Sequence, residues 1–247
     1  MSSIDINCDM GESYGIYSFG NDDEIFPYIT SANIACGFHA GDYNVMAQTI
    51  TKALENNVAI GAHPGYPDLI GFGRRHIPMT PREIYNMLVY QIGATQAMTK
   101  ALGASLQHVK PHGALYNLAA VDKAVAKAIV EAVYDTTPES IIFGLANSIL
   151  ISTAEENGLR VGNEIFADRT YNADGTLTPR TEKNAIIVDA EAAILQCKAI
   201  IENQTLKADT ICIHSDNRDA VIFAKSLNMG LINAGVKIQA IGNCSHE

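Results

Sequence analysis

The chain has 247 residues, long enough for one large domain over residues 1–247, and it carries 27 Asp and Glu against 17 Lys and Arg. The formal net charge of −10 argues against a basic face, so we expect neither nucleic acid nor an anionic membrane as partner. Five cysteines without metal-type spacing, no secretory leader and no apolar run long enough to span a bilayer predict a cytoplasmic protein with reduced thiols.

Three strands are predicted in the first part of the chain, at residues 4–9, 32–36 and 58–63. Strict alternation in the first strand places its polar residues on the face opposite its apolar ones. Polar side chains stand at or just beyond the end of each strand, namely Asp9, His39 and His63. The following loop, residues 64–79, is long, rich in Gly and Pro, and carries Arg74 and Arg75, which favours a functional loop.

The fourth predicted strand, which begins near residue 106, has an unusual polar face. A period of two places His108, Lys110 and His112 on one side. A buried parallel strand is normally apolar throughout, because burying an unpaired polar group costs about 1 to 3 kcal/mol. Two imidazoles and an ammonium together therefore predict a site that is open to water. Pro111, which lacks an N–H, is tolerated where a strand ends, so we place Lys110 and His112 at the C-terminal rim.

Strands and helices alternate over the rest of the chain. A helix ending near Tyr134 follows the fourth strand, and further strands are predicted at residues 141–144, 160–166 and 210–214. This alternation indicates βαβ units and a parallel sheet. Because polar residues follow nearly every strand, a closed (β/α) barrel of seven or eight strands fits better than an open sheet, whose site forms at one switch point. The polar residues at this rim are Asp9, His39, His63, Lys110, His112, Glu164, Asp168, His214 and Asp216.

Several of these residues allow more than one role. His39 or His63 taken alone is more often structural than catalytic. Asp9 and Glu12 could be a general base and its partner or a ligand pair, although capping a helix or turn is the favoured role for Glu12. The Asp and His set also permits a metal. No HxxxH or HExxH spacing occurs, so metal ligands would have to converge from separate strands, and the presence of a metal stays open.

Each cationic residue of the predicted site can have either a structural role or a role in binding an anion. Lys110 could be an inert ion-pair partner, but a lysine in a polar cavity is suited to stabilise an anion. Arg74 and Arg75 are either a solvated pair or hold a substrate carboxylate through bidentate contacts. Neither a GxxxxGK[ST] pattern nor a GxGxxG following a strand occurs, so no known motif for nucleotide phosphates is present.

Longer blocks of sequence give a more specific indication. They read NCDMGE (residues 7–12), ANIACGFHAGD (32–42), GAHPGYPD (61–68), GFGRR (71–75) and KPHGALYN (110–117), with FADR (166–169) as a later match. These blocks, in this order and over essentially the whole chain, resemble the signature blocks of the family formed by the A subunits of 5-oxoprolinase, also called the LamB/YcsF family.

The resemblance implies a seven-stranded (β/α) barrel similar to the glycoside hydrolase/deacetylase superfamily. It also implies ATP-dependent opening of the lactam ring of 5-oxo-L-proline (pyroglutamate) to L-glutamate, in a complex with partner subunits B and C. ATP, with Mg²⁺, would bind to this chain or to a site on or shared with the partners. Two alternatives are a non-catalytic subunit that binds substrate or serves as a scaffold, and a metal-dependent, deacetylase-like carbon–nitrogen hydrolase that acts alone.

From the residues we infer two functional groups for this reaction. The catalytic group is Asp9, His39, His63, Lys110 and His112. The substrate-binding group is Asn7, Glu12, Arg74, Arg75, Glu164, Asp168, Arg169, His214 and Asp216. Water activated by Asp9 or a histidine would attack the ring carbon, while Lys110 and a protonated histidine offset the negative charge that develops.

Overall fold

Parallel strands close into a barrel in the computed structural model of the chain, which describes residues 3–172, 175–179, 182–203, 207–214 and 219–242. In this part of the chain seven strands each pair with the next, and β7 pairs with β1 to complete the ring. A short eighth strand pairs with Ser3 and Ile4 at the start of β1. The strands are β1 Ser3–Met10, β2 Ser31–Ala35, β3 Ala59–His63, β4 His108–Val109, β5 Ile141–Leu145, β6 Val161–Phe166, β7 Thr210–Ile213 and β8 Lys237–Ile238.

Helices fill the connections between the strands and bury apolar faces against them. They are α1 Asp22–Ile25, α2 Tyr43–Glu55, α3 Pro81–Ala101, α4 Gly113–Ala119, α5 Lys123–Thr136, α6 Ile149–Glu156, α7 Ala190–Asn203 and α8 Ala220–Asn233, with one 3₁₀ turn at Phe26–Tyr28. The single helix predicted after β4 is in fact two, α4 and α5. Among the described residues, none of these helices combines the length and the apolar character that crossing a membrane requires.

Local sequence explains where two of the helices begin. Helix α3 starts with a capping box, because the Thr80 side chain accepts a hydrogen bond from the Glu83 N–H and the Glu83 carboxylate accepts one from the Thr80 N–H. Helix α2 starts at Asp42, whose carboxylate accepts from two backbone N–H groups of the first turn. These fixed starts determine where the preceding loops meet the barrel rim.

The alternation predicted for β1 is confirmed and produces a polar barrel interior. Ile4, Ile6 and Cys8 belong to the apolar core between strands and helices. The opposite face points inward, where Asp5 accepts hydrogen bonds from hydroxyls on β2 and β7. Barrel interiors are usually filled with branched apolar residues. Here the interior instead holds a connected set of polar side chains, namely Asp5, Asn7, Asp9, Asn33, His108, Lys110, Glu164 and Thr210.

Two long loops extend from the C-terminal ends of the strands. The first follows β3 and brings the Phe72 ring against the imidazole of His112. The second follows β6 and is held by isolated antiparallel bridges, Arg169 with Ile186 and Tyr171 with Leu177. Both loops therefore lie at the end of the barrel where the sequence places the site. That residues 1–247 form one domain stays a prediction.

Candidate active site

A cavity of about 630 Å³ opens at the C-terminal ends of the barrel strands. This volume lies within the range of small-molecule sites, and the C-terminal face is where (β/α) barrels carry their active sites. The cavity joins residues that are far apart in the sequence. The predicted site residues that line it are Asp9, Glu12, His63, Arg74, Lys110, His112, Arg169 and His214.

At and below the floor of the cavity lies a group that we call the lysine network, consisting of Asn7, Asp9, Lys110, Glu164 and Cys212, of which Asp9 and Lys110 line the cavity. Lys110 is 2% exposed, and its ammonium forms an ion pair with Glu164 Oε1 at 2.8 Å and donates to Asp9 Oδ1 at 3.1 Å. Asn7 Oδ1 at 3.1 Å and Cys212 Sγ at 3.0 Å complete its surroundings. Burial by itself lowers the pKa of Lys110, but the Asp9 and Glu164 carboxylates outweigh burial and hold this pKa well above its usual range. Lys110 is therefore charged.

Asp9 connects this network with the histidines of the rim. Its Oδ1 accepts from Lys110 and, at 2.8 Å, from the Asn33 side chain. Its Oδ2 lies 3.2 Å from His63 Nε2 and 4.0 Å from His214 Nε2. Burial raises the pKa of the Asp9 carboxyl, but His63 and Lys110 together hold it well below its usual range. An ionised carboxylate thus stands between an ammonium and two imidazoles.

A second group, which we call the histidine cluster, consists of Glu12, His39, His63 and His112. His63 Nδ1 lies 2.7 Å from the Lys110 carbonyl, and His112 Nε2 lies 2.8 Å from the Phe72 carbonyl. Because a carbonyl only accepts, both of these ring nitrogens carry a hydrogen. The other nitrogens, His63 Nε2 and His112 Nδ1, lie 2.9 Å apart. In neutral rings these two atoms face each other with lone pairs.

His39 is the most deeply enclosed imidazole of the cluster. Its ring stacks on His112 with centroids 3.7 Å apart and planes within 4°. Neither ring nitrogen has a hydrogen-bond partner within the described ranges, and Glu12 Oε1 lies 3.7 Å from Nε2. Burial, followed by the neighbouring imidazoles, holds the pKa of His39 and of His112 well below the usual range. Both rings are therefore neutral.

Two glycines of the loop after β3 allow it to close over this stack. Gly73 has φ +62°, and a Cβ there would lie 2.7 Å from His112 Cδ2 and 2.8 Å from His39 Cβ. At Gly65 a Cβ would lie 2.9 Å from His39 Nδ1. Any side chain at either position would push against the imidazoles. The glycine-rich composition of the loop thus serves a close approach to the histidine cluster.

Asp168 and His214 form a separate pair on the opposite side of the cavity mouth. His214 Nδ1 lies 2.6 Å from Asp168 Oδ2, while its Nε2 faces Asp9. A carboxylate at this position fixes the imidazole in the tautomer with the hydrogen on Nδ1. His214 lines the cavity, whereas Asp168 stands behind it.

The remaining predicted residues lie at different depths. Asn7 and Glu164 are fully buried below the cavity and contact Lys110, so the structure places them under the site and not on its surface. Glu12 does not cap a helix, since the next helix begins at Asp22 and its carboxylate is buried beside His39. Asp216 lies outside the described residues.

The three arginines predicted to bind substrate lie in different places. Arg74 lines the cavity with its guanidinium 4.9 Å from the Phe72 ring centre. Arg75 turns away and pairs with Asp68, so the structure does not bring it to the cavity. Arg169 lines the cavity and donates to two carbonyls of the second loop, those of Thr178 at 2.5 Å and Ala185 at 3.1 Å, and so fixes that loop.

Some residues of the site had not been identified from the sequence. Asn33 donates to both Asn7 and Asp9, and its inward position follows from the same alternation that was applied to β1 but not to β2. Cys212 contacts Lys110, and Phe72 supplies a carbonyl and a ring to the histidine cluster. These last two contacts depend on strand stagger and loop path, for which the sequence carries no signal.

Comparison with known proteins agrees with this architecture. A model described as the LamB/YcsF family matches residues 4–246. The A subunit of 5-oxoprolinase from Oceanobacillus iheyensis is 54% identical over 246 residues, which cover 96% of each chain. The solved lactam utilization protein from Thermus thermophilus is 40% identical with a TM-score of 0.91, covering 97% of this chain and 100% of that one.

More distant structures are similar in fold alone. A family 4 carbohydrate esterase from Streptomyces lividans superimposes with a TM-score of 0.50 at 12% identity and covers 98% of this chain and 93% of its own. Together with the closed ring of seven parallel strands among the described residues, this likeness confirms the predicted closed (β/α) barrel.

Proposed function

This chain belongs to the LamB/YcsF family, and from that premise we propose that it is one component of a 5-oxoprolinase that opens the lactam ring of 5-oxo-L-proline to L-glutamate with hydrolysis of ATP. The observation that carries the proposal is the cavity in which ionised Asp9 lies between a buried ammonium and the imidazoles of the rim. Full-length similarity to proteins named as the A subunit of 5-oxoprolinase supports it. That name also supports a multi-subunit complex, with subunits B and C as partners.

The chemistry explains why ATP is needed. In the ring-opened product the amine stays tethered to the carboxyl group, and the effective molarity of such an intramolecular nucleophile reaches about 10⁵ M or more. Ring closure is therefore favoured over hydrolysis, and free energy must be supplied. ATP, with Mg²⁺, would bind where this chain meets its partners or on the partners alone, in keeping with the lack of a phosphate-binding motif in the sequence.

We place the chemical steps as follows. Transfer of the γ-phosphoryl group to the lactam oxygen releases ADP and, with loss of the ring N–H proton, leaves an imidate-like electrophile. Addition of one water to the ring carbon, followed by cleavage of the C–N bond with protonation of nitrogen, opens the ring to an acyl phosphate. Hydrolysis of that acyl phosphate by a second water gives glutamate and phosphate.

In this scheme His214 is the proton carrier. With Nδ1–H directed at Asp168, the neutral ring accepts a proton from the attacking water at Nε2 and then delivers it to the leaving nitrogen. Asp9, 4.0 Å from Nε2, stabilises the imidazolium that forms in between. Lys110 keeps Asp9 ionised, and Arg74 on the rim binds the substrate carboxylate. His214 thus has a proton-transfer role in place of the substrate-binding role inferred from the sequence.

A reconstitution assay tests the proposal. Release of glutamate from 5-oxo-L-proline is measured with this chain alone, with the partner subunits alone, and with all components together, each with and without MgATP. We expect release only from the complete set with MgATP. Glutamate release by the partners without this chain would identify it as a scaffold, and release by this chain without nucleotide would identify a self-sufficient amide hydrolase; either result contradicts the proposal.

A further inference from the structure

The histidine cluster is not used by the proton transfer just described, although it contains three imidazoles. Its four members each offer one ligand-type atom, all within 4.8 Å of one another, and all four side chains are buried. They follow or end four neighbouring strands, β1 to β4, which fixes their positions relative to the barrel. Glu12, His63 and His112 also line the cavity, so the cluster is accessible from it.

The hydrogen bonds that His63 and His112 make to backbone carbonyls leave their two other ring nitrogens facing each other. His63 and His112 each commit one N–H to a backbone carbonyl, at 2.7 Å and 2.8 Å. Their second nitrogens then approach each other to 2.9 Å with Asp9 Oδ2 3.2 Å from His63 Nε2, so three acceptor atoms meet at one point. Such an arrangement is favourable only when a cation, either a proton or a metal ion, lies among these atoms.

His39 distinguishes between these two cations. A single proton shared by His63 and His112 would leave His39 as it is, a buried imidazole whose nitrogens make no hydrogen bond within the described part of the chain. Buried side-chain nitrogens of this kind nearly always have a partner. An ion bound by His39 together with the other three residues would supply that partner.

From this geometry we propose that Glu12, His39, His63 and His112 bind one divalent transition-metal ion of the zinc type. Three imidazole nitrogens and one carboxylate oxygen form a ligand set that suits Zn²⁺ and its first-row neighbours, whereas Mg²⁺ and Ca²⁺ prefer oxygen ligands. Tetrahedral Zn²⁺ separates its nitrogen ligands by about 3.4 Å. The His63–His112 pair needs to open by only a fraction of an ångström, and His39 must tilt out of its stack on His112.

The backbone contacts of two of the rings agree with this site. The carbonyls of Lys110 and Phe72 accept the second N–H of His63 and His112, which is the arrangement that orients metal-binding histidines in other proteins. The site stands on its own geometry and does not depend on the proposed reaction.

Zinc titration of the full chain after treatment with a chelator tests the site. Isothermal titration with ZnCl₂ is expected to show one ion per chain with a Kd below about 1 µM, and MgCl₂ under the same conditions is expected to show no binding. His39→Ala and His63→Ala are each expected to weaken zinc binding by at least about 100-fold. Folding of each variant is checked by circular dichroism.

Controls separate this site from other zinc-binding groups. His76→Ala removes an exposed imidazole of the neighbouring loop and is expected to leave the affinity unchanged. The double variant C244S/H246A removes two groups outside the described residues that could bind zinc by themselves, and it too is expected to bind normally. The wild-type chain loaded with Co²⁺ should show visible absorption typical of nitrogen and oxygen ligation without a thiolate band, which tests the ligand set even where a variant fails to fold.

The proposal is wrong if the wild-type chain binds zinc no more tightly than Mg²⁺, if C244S/H246A abolishes binding, or if folded His39→Ala binds zinc as tightly as the wild type. In each of these cases the cation between His63 and His112 is a proton. None of these results bears on glutamate release, so failure of the metal site and failure of the proposed function are measured separately.

Discussion

The lysine network and the histidine cluster lie side by side in the barrel, yet they differ in how completely their polar atoms are satisfied. In the lysine network the three N–H groups of Lys110 face four acceptors, two of them carboxylate oxygens, and only Glu164 Oε2 of this group makes no hydrogen bond among the described residues. In the histidine cluster acceptor atoms face each other, and His39 makes no hydrogen bond among the described residues. The lysine network thus contains its own cation among its acceptor atoms, whereas the histidine cluster has acceptor atoms with no cation between them, as a binding site for a cation would.

Asp9 is a member of the lysine network and also faces the imidazoles at the cavity, so its two oxygens have different surroundings. One of its oxygens accepts from Lys110 and Asn33, which fixes the carboxylate and keeps it ionised. The other oxygen faces His63 and His214. A rigid, charged support thus holds one reactive carboxylate at the cavity, as preorganised active sites require.

Removing the ammonium from the lysine network should severely lower the stability of the protein. In Lys110→Met the buried carboxylates of Asp9 and Glu164 lose their cation, and an uncompensated buried charge costs about 3 to 5 kcal/mol of unfolding free energy. The matched control is Lys123→Met, which removes an exposed pair with Glu156 and should cost less than about 1 kcal/mol. Urea unfolding of both variants measures this, and equal losses would show that the network does not stabilise the barrel.

Asp5, below the lysine network, should make stability depend on pH. Burial raises its pKa from 3.8 to about 6, although the hydroxyls of Thr210, Thr30 and Ser31 donate to it. The unfolded chain releases this proton at a lower pH than the folded chain does. The free energy of unfolding that the protonated carboxyl contributes is therefore lost as the pH rises from about 4 to above 6. Relative to wild type, Asp5→Asn should therefore gain up to about 3 kcal/mol between about pH 4 and pH 7. A difference between the two proteins that is the same at every pH would refute this assignment.

The close approach of the loop after β3 to the histidine cluster can be tested by substituting two glycines, one in this loop and one in open space. Gly73→Ala and Gly158→Ala both place a side chain at positive φ, but only the Cβ at position 73 meets other atoms, those of His39 and His112. Gly73→Ala should therefore lose about 1 to 3 kcal/mol more stability than Gly158→Ala in thermal unfolding. Identical losses would mean that the loop does not press on the imidazole stack.

The smallest effect is expected within the histidine cluster itself. His39→Leu removes ring nitrogens that make no hydrogen bond in the described structure and keeps an apolar group of similar size. In chelator-treated protein this change should cost about 1 kcal/mol or less, because replacing an unsatisfied polar group by an apolar one is nearly neutral. A loss of unfolding free energy comparable to that of Lys110→Met would show that the polar atoms of His39 stabilise the fold as much as those of Lys110 do.

The fold could be predicted well from the sequence, because polar and apolar residues alternate with a period of two in barrel strands whose inner face is polar. The alternation in β1 gave the inward face, and polar residues after successive strands indicated a shared rim, which the closed ring confirms. The capping box at Thr80 gave the start of α3. The division between α4 and α5 was missed, although Asp122, which caps the start of α5 by accepting from two backbone N–H groups, is the residue that could have indicated it.

The arrangement within the site was less predictable, because it depends on contacts between loops. Nothing in the spacing of His39 and His112 indicates that their rings stack, and nothing in the distance between Asp168 and His214 along the chain indicates a pair. Arg75 was assigned to the substrate alongside Arg74, but a nearby carboxylate, Asp68, holds it in the structure. Strand periodicity identifies which residues reach the rim, whereas loop geometry decides which of them meet.

We propose that the lactam ring is opened in the cavity beside Asp9, and substitution of His214 tests this location of the chemistry. In the complete set of subunits with MgATP, His214→Asn should lower the rate of glutamate release by about 10²- to 10⁴-fold, the usual contribution of a general acid–base group. Arg82→Ala, on the outer surface of α3, should leave the rate unchanged. A His214→Asn complex that is folded, assembled and as active as wild type would contradict the account.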